Sequence, residues 1–268
     1  MEGYIVHELI ADQSALDELT DSEMHLYSRQ ILLDGWDIEA QERLKLSNVF
    51  IVGAGGIGCT VAQCLARAGV GKITIIDQDR IEVSNLQRQI AFNTTHIGQY
   101  KAKVLAESLR EINPFIDVDG KIDYLNADNI DELIQGYDLV LDGCDNFQTR
   151  YIVNASCKKQ NIPLLSASAI GFQGQLFMVN AQSACYECLF PKTGHDLETM
   201  NCTQSGVLAT TPIVIASLQA HYALLYLALN RQSLLQKLLL WDGLQMKQRI
   251  IDFDHDADCP ICATSFDK

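Results

Sequence analysis

Long apolar runs are missing from this sequence. None reaches the roughly 18 residues that a membrane-spanning helix needs. The longest candidate, residues 216–229, contains Gln219, His221 and two tyrosines and reads as a buried helix. The first twenty residues lack a basic stretch followed by an apolar one, so no signal peptide is expected, and a cytoplasmic location is. Positive charge is scarce, with 20 Lys and Arg against 34 Asp and Glu, a net charge of -14. That balance excludes the broad basic surface needed to bind nucleic acid, but not a nucleotide site built from a few local cations. No internal repeat and no low-complexity linker divides the chain. One domain is expected over residues 21–268, behind an N-terminal extension of residues 1–20, with an irregular insertion near residues 185–210. The chain has 9 cysteines. In a reducing compartment these do not suggest a disulfide framework, and metal binding or catalysis suits some of them better.

Short apolar runs alternate with helical stretches. Thr20 with Glu23 fits a capping box, so a helix is expected from Asp21, carrying Tyr27, Arg29 and Gln30. A second is expected over residues 38–46. Residues 49–52 form a β-branched run ending at Gly53, residues 57–68 have helical character, and residues 72–76 form a strand ending at Asp77. This is a βαβ unit of about thirty residues. A helix over 101–112, a strand over 138–141, a helix over 147–160 and a strand over 163–167 follow. Beyond Gly171, residues 175–179, 238–241 and 249–253 read as more antiparallel strands, with a long apolar helix over 212–229 between them. The expected fold is α/β: a Rossmann-like, doubly wound, mostly parallel sheet continued by an antiparallel half.

Gly53-Ala-Gly55-Gly56-Ile-Gly58 lies between the first strand and its helix. Glycines there permit a tight turn and let backbone N–H groups approach phosphate or ribose. Asp77 closes the next strand, where an acidic group can accept from ribose hydroxyls. A glycine turn used only for packing and an NAD-dependent oxidoreductase are the rival readings. Ser84-Asn85-Leu-Gln-Arg88-Gln89 and Lys101 favour a triphosphate, because Arg88 and Lys101 can neutralise one, whereas a dinucleotide pyrophosphate is commonly held by backbone amides and needs less cationic help. Asp142 and Asp145-Asn146 fall at the C-terminal end of a further strand, where ligands bind in open α/β sheets. A carboxylate beside phosphates suits Mg²⁺.

Four segments, Gly53 to Gly58, Asp77-Gln-Asp79, Ser84 to Gln89 and Asp142-Gly-Cys-Asp145-Asn146, together resemble the E1-like activating enzymes of the ThiF/MoeB/HesA family. The resemblance runs from about residue 27 to Cys262. It implies ATP-dependent adenylylation of the C-terminal Gly-Gly carboxylate of a ubiquitin-like sulfur carrier. The nucleotide would be held by Gly53, Gly55, Gly56, Asp77, Asp79, Ser84, Asn85, Arg88, Lys101, Asp145 and Asn146, with Asp145 also holding Mg²⁺. It implies a homodimer in which Arg29 reaches the phosphates of the other subunit. The nucleotide half would cover about residues 21–168, and a carrier-binding half with zinc about 169–268. The runs from Ser166 to Phe172 and from Cys185 to Pro191 look closer to the thiamine-pathway (ThiF-like) branch, with a molybdopterin-pathway (MoeB-like) role as the alternative. No rhodanese segment follows Cys262, so a separate sulfur donor protein is expected.

Cys185-Tyr-Glu-Cys188 and Cys259-Pro-Ile-Cys262 are two C-x-x-C pairs about seventy residues apart. Four thiolates in two close pairs suit a structural tetrahedral Zn²⁺ stapling the tail to the middle of the chain. A redox role for one pair is the alternative. Cys202 lies in a polar loop, where a reactive thiol and an ordinary loop cysteine are both open readings. The resemblance places there a cysteine that in the ThiF-like branch can bond covalently to the carrier during sulfur transfer, and that the MoeB-like branch does not require. Cys59, Cys64, Cys144 and Cys157 read as packing residues. His195 and His221 have no partner motif.

Overall fold

The computed structural model describes residues 18–192 and 206–263. Five parallel strands come first: β1 (Asn48–Val52), β2 (Lys72–Ile76), β3 (Asp117–Lys121), β4 (Leu139–Asp142) and β5 (Leu164–Ile170). Three antiparallel strands extend them: β6 (Gln173–Val179), β7 (Lys237–Asp242) and β8 (Lys247–Asp252). Together they form one sheet in the order β3-β2-β1-β4-β5-β6-β7-β8. The helices are α1 (Asp21–Leu26), α2 (Ser28–Ile31), α3 (Ile38–Leu46), α4 (Gly58–Ala68), α5 (Lys101–Ile112), α6 (Ile130–Leu133), α7 (Phe147–Gln160), α8 (Tyr186–Leu189), α9 (Thr210–Leu229) and α10 (Pro260–Ala263).

The central strands are apolar on both faces because both are covered. Val49 and Ile51 join a core completed by α3, α4, α5 and α9, while Phe50 and Val52 join a second core under α6, α7 and α8. Full burial of each such side chain contributes about 1.5–3 kcal/mol. Contrary to the expectation from the sequence, helix α9 is by length and composition apolar enough to cross a bilayer, because the helix runs on past residues 216–229 to begin at Thr210. Here its inner residues Ile215, Ala216, Ala220 and Ala223 pack into the first core, as the polar interruptions predict.

Register fixes the position of the site. Lys121, Ile76, Val52, Asp142 and Ser166 stand side by side across the five parallel strands. The chain leaves β1 toward β2 and β3 on one side and returns to β4 on the other. The C-terminal ends of β1 and β4 therefore flank a crevice at the point where the winding reverses.

The short helices α6, α8 and α10 are not foreseen in the sequence, and two further differences bear on the fold. The expected helix from Asp21 breaks at Tyr27, because the Tyr27 ring turns into the core and its hydroxyl accepts from Asn113 Nδ2 at 2.8 Å. Strand β3, Asp-Val-Asp-Gly-Lys, is not legible as a strand: only Val118 is fully buried on this edge.

Candidate functional site

The crevice is a cavity of about 560 Å³. Its floor is the turn from Gly53 to Gly58. Gly53 has φ 91°, a left-handed conformation that favours glycine. At Gly58 a Cβ would sit 1.8 Å from Gly53 O, so the helix packs onto the turn only without a side chain. Gly55 opens onto empty space, which leaves its backbone free to meet a ligand. At Gly56 a Cβ would come within 3.1 Å of Pro212, the residue that closes the cavity from α9.

Asp77 does two jobs at once. Its carboxylate accepts from Ala54 N–H and from Asp79 N–H, both at 2.7 Å, and so clamps the glycine turn to the end of β2. Burial raises its carboxyl above the ordinary value, against the pull of Lys101 and those two N–H donors. The second oxygen lone pairs remain available to a ribose hydroxyl. Lys101 opens α5, is 8% exposed and pairs with Asp79 at 2.8 Å. An ammonium held on a short tether and facing the cavity needs little reorganisation to meet a phosphate. Asn85 is buried, its Oδ1 accepting from Glu82 N–H at 3.0 Å, and Arg88 donates to Ser84 O at 3.0 Å. Ser84 donates to the Glu82 carboxylate at 3.3 Å.

On the opposite wall, Asp145 is exposed to the cavity and its carboxylate makes no hydrogen bond among the described residues. Asn146 caps α7, accepting from Thr149 N–H at 2.7 Å. Asp142 does not reach the cavity as its place at a strand end suggested. It is fully buried and spent on Arg150 at 3.1 Å, Ser166 at 2.6 Å and Cys144 N–H at 2.9 Å. Burial alone disfavours the Arg150 guanidinium, but the Asp142 carboxylate outweighs that and holds its pKa above the ordinary value. Cys144 also lines the cavity, and burial together with the Asp142 charge pushes its thiol well above the ordinary value.

The four zinc-candidate cysteines converge. Sγ separations are 3.9 Å for Cys185–Cys188, 3.6 Å for Cys185–Cys259 and 3.5 Å for Cys188–Cys262, and all four sulfurs lie within 4.8 Å of one another. A disulfide would need about 2.05 Å. Four sulfurs about 2.3 Å from a central tetrahedral ion stand roughly 3.8 Å apart, so this donor set fits zinc.

The ThiF family profile matches residues 27–261. The chain belongs to the ThiF family. It is 37% identical to the sulfur carrier protein adenylyltransferase of Thermus thermophilus, covering 91% of this chain and 92% of that one. It is 39% identical to the molybdopterin-synthase adenylyltransferase of Salmonella typhimurium, covering 91% and 98%. A crystal structure of E. coli MccB with AMPCPP and MccA superposes with TM-score 0.80 at 25% identity, covering 92% of this chain and 76% of that one. This ThiF-family chain is accordingly an adenylyltransferase, and the oxidoreductase reading falls away.

Asp142, placed by the sequence at the same strand end as Asp145, does not line the cavity of this ThiF-family chain; every residue expected from the resemblance to hold the nucleotide does, except Arg29. Its neighbour Gln30 donates to Ala68 O at 3.1 Å, at the C-terminal end of α4, whereas the glycine turn meets the N-terminal end. At 1.5 Å per residue α4 puts about 15 Å between them, too far for one side chain to span. Exposed Arg29 therefore does not serve its own chain's cavity. Cys202 and His195 lie outside the described residues; His221 is exposed on α9 beside Tyr222. Cys59 and Cys157 are core residues as expected. Sequence reading missed Arg150 and Gln219, whose amide donates to Asp142 O and Leu165 O. An Arg in the first turn of a helix carries no local sign that a buried acid awaits it.

Proposed function

We propose that this chain uses ATP to adenylylate the C-terminal glycine carboxylate of a ubiquitin-like sulfur carrier. The observation that carries the reading is the cavity itself, where Arg88, Lys101 and Asp145 converge around the glycine turn and Asp77. Adenosine lies with its ribose at Asp77 and its phosphates toward Arg88 and Lys101. The carrier carboxylate, already ionised at pH 7, attacks the α-phosphorus. The bond between the α-phosphorus and the bridging oxygen breaks, pyrophosphate leaves, and an acyl-adenylate remains. No protein nucleophile or base is required. What the protein must supply is positive charge, because an anion approaches a polyanion. Asp145 would hold Mg²⁺, which supplies further charge neutralisation there.

The chain acts as a homodimer in this reading. Arg29, stranded at the far end of α4, reaches the phosphates of the other subunit, a role that in phosphoryl transfer is worth about 10³–10⁵ in rate. Leu26, Leu32 and Leu33 are exposed around it and supply apolar surface for such a contact. The four cysteines hold a structural zinc, and the antiparallel half, with exposed Phe172, Leu244 and Met246, receives the carrier. Sulfur comes from a separate donor, and the protein works in the cytoplasm.

The thiamine-pathway carrier is the first choice, on the Ser166–Phe172 and Cys185–Pro191 runs. Their support is thinner than their resemblance, because Ser166 is buried on Asp142 and Cys185 and Cys188 belong to the cysteine cluster. The molybdopterin-pathway carrier is the second reading, favoured by the Salmonella relative. ATP–pyrophosphate exchange with both carriers, each ending in Gly-Gly, decides between them. Loss of exchange in Arg29→Ala, Arg88→Ala and Asp145→Ala is expected while ATP still binds. Undiminished exchange in Asp145→Ala would remove its assigned role.

A further inference from the structure

Asp145 reaches into the cavity without a hydrogen-bond partner among the described residues, so something behind it must set its direction. The peptide groups on either side of Cys144, the residue before it, are both fixed. Cys144 N–H donates to Asp142 Oδ1 at 2.9 Å, and Cys144 C=O accepts from Arg150 Nη2 at 2.5 Å. The two clamping groups are themselves paired, Arg150 Nε donating to Asp142 Oδ2 at 3.1 Å, with side chains 4% and 1% exposed. Arg150 also donates to Ala167 O at 3.4 Å, which ties the same loop to β5.

Arg150 is the first of a buried polar row on α7. Asn154, one turn on, accepts from Tyr186 N–H at 2.9 Å. Lys158, two turns on, donates to the carbonyls of Asn180, Ala181 and Ser183 at 3.0, 2.7 and 2.6 Å. Residues spaced by four share one helix face. That face grips the loop before Asp145 at one end and the segment leading into Cys185 and Cys188 at the other. Tyr186 stacks on Phe177 with ring centroids 5.5 Å apart and buries its hydroxyl within the field of the Arg150 charge. The helix cannot shift toward the cavity without pulling this whole row out of register.

We propose that Arg150 is a positioning residue for the metal-holding acid: its pair with Asp142 clamps the Cys144 peptides and so aims the Asp145 carboxylate. This rests on Asp145 as the divalent-cation ligand. A neutral side chain at 150 frees the Cys144 carbonyl and leaves the nucleotide floor, on β1 and β2, untouched.

The test measures Mn²⁺ binding to the full chain with saturating ATP by electron paramagnetic resonance, beside ATP binding in EDTA. Variants are Arg150→Lys, Arg150→Met, the double variant Arg150→Met with Asp142→Leu, and Asp145→Asn. Outer-shell supports of metal ligands typically contribute about 10–100-fold to affinity, so Mn²⁺ affinity should fall by about that factor in Arg150→Met and in the double variant, and less in Arg150→Lys, while metal-free ATP binding stays within about threefold. Should Arg150→Met fail to fold because Asp142 is left uncompensated, the double variant, which removes both charges, carries the test. Should that also fail, Arg150→Lys carries it. Unchanged Mn²⁺ affinity in the Arg150 variants, alongside a fall in Asp145→Asn, overturns the positioning role. Unchanged affinity in Asp145→Asn instead overturns the assignment of Asp145, and the proposal with it.

Discussion

Gly58 and Gly55 sit three residues apart in one turn, and the structure assigns them opposite duties. A methyl at Gly58 would lie 1.8 Å from Gly53 O and 2.8 Å from Gly53 C, where contacts under 3.0 Å essentially never occur. The colliding atoms are backbone, held by the strand on one side and by α4 on the other, so the turn must open by more than an ångström. Overpacking typically costs about 1–3 kcal/mol, and a backbone collision belongs at the upper end. For a chain of this size about 3 kcal/mol lowers Tm by roughly 6–10 °C. Gly55 has nothing within 4 Å. Gly55→Ala should leave Tm unchanged or raise it slightly, since a restricted unfolded chain contributes about 0.4–1 kcal/mol. Its methyl enters the cavity, however, and ATP affinity should fall at least about tenfold, or 1.4 kcal/mol. Calorimetric Tm and isothermal titration with ATP on both variants separate the two effects. A Gly58→Ala protein melting within about 2 °C of wild type would refute the packing argument. A Gly55→Ala protein binding ATP normally would refute the placement of the phosphates.

The capping box at α1 predicts an acid-sensitive N-terminus. Burial alone would raise the Glu23 carboxyl, but bonds from the Thr20 N–H and hydroxyl and from Lys45 bring it below the ordinary glutamate value. Its folded pKa being depressed, this stabilisation is present above about pH 4.5 and is lost as pH falls through the folded value. Thr20→Ala should cost about 1 kcal/mol at pH 7 and progressively less toward pH 3, read from urea melts. Stripping the cysteine cluster with a chelator, or Cys259→Ser, should release about one zinc per chain to a colorimetric dye and expose the C-terminal segment to protease, with retention weakening as pH falls because thiolates are the ligands. Lys158→Met removes three charge-assisted bonds and should speed amide exchange across residues 180–186 while leaving β1 and β2 protected. Uniform exchange across the sheet would show that Lys158 has no such local role.

The glycine turn, Asp77 and the two cysteine pairs are legible in the chain because each depends on local geometry. A turn needs glycine where a side chain would collide, the N–H groups of that turn are met by the acid closing the next strand, and close cysteine pairs are visible as short spacings. The strands β1, β2 and β4 announce themselves by continuous apolar runs, since both of their faces are covered. β3 stayed hidden because an edge strand half in solvent carries no such run. Long-range placement is what only the tertiary structure could decide. That Asp142 belongs to Arg150 rather than to a ligand, that Arg29 stands a helix length from its own cavity, and that α7 braces the loop of Asp145 all depend on which elements the sheet order brings together. A residue's type and its neighbours in sequence set what it can bond to. Only the folded chain determines which groups lie within about 3 Å of it, and so which of those bonds are made.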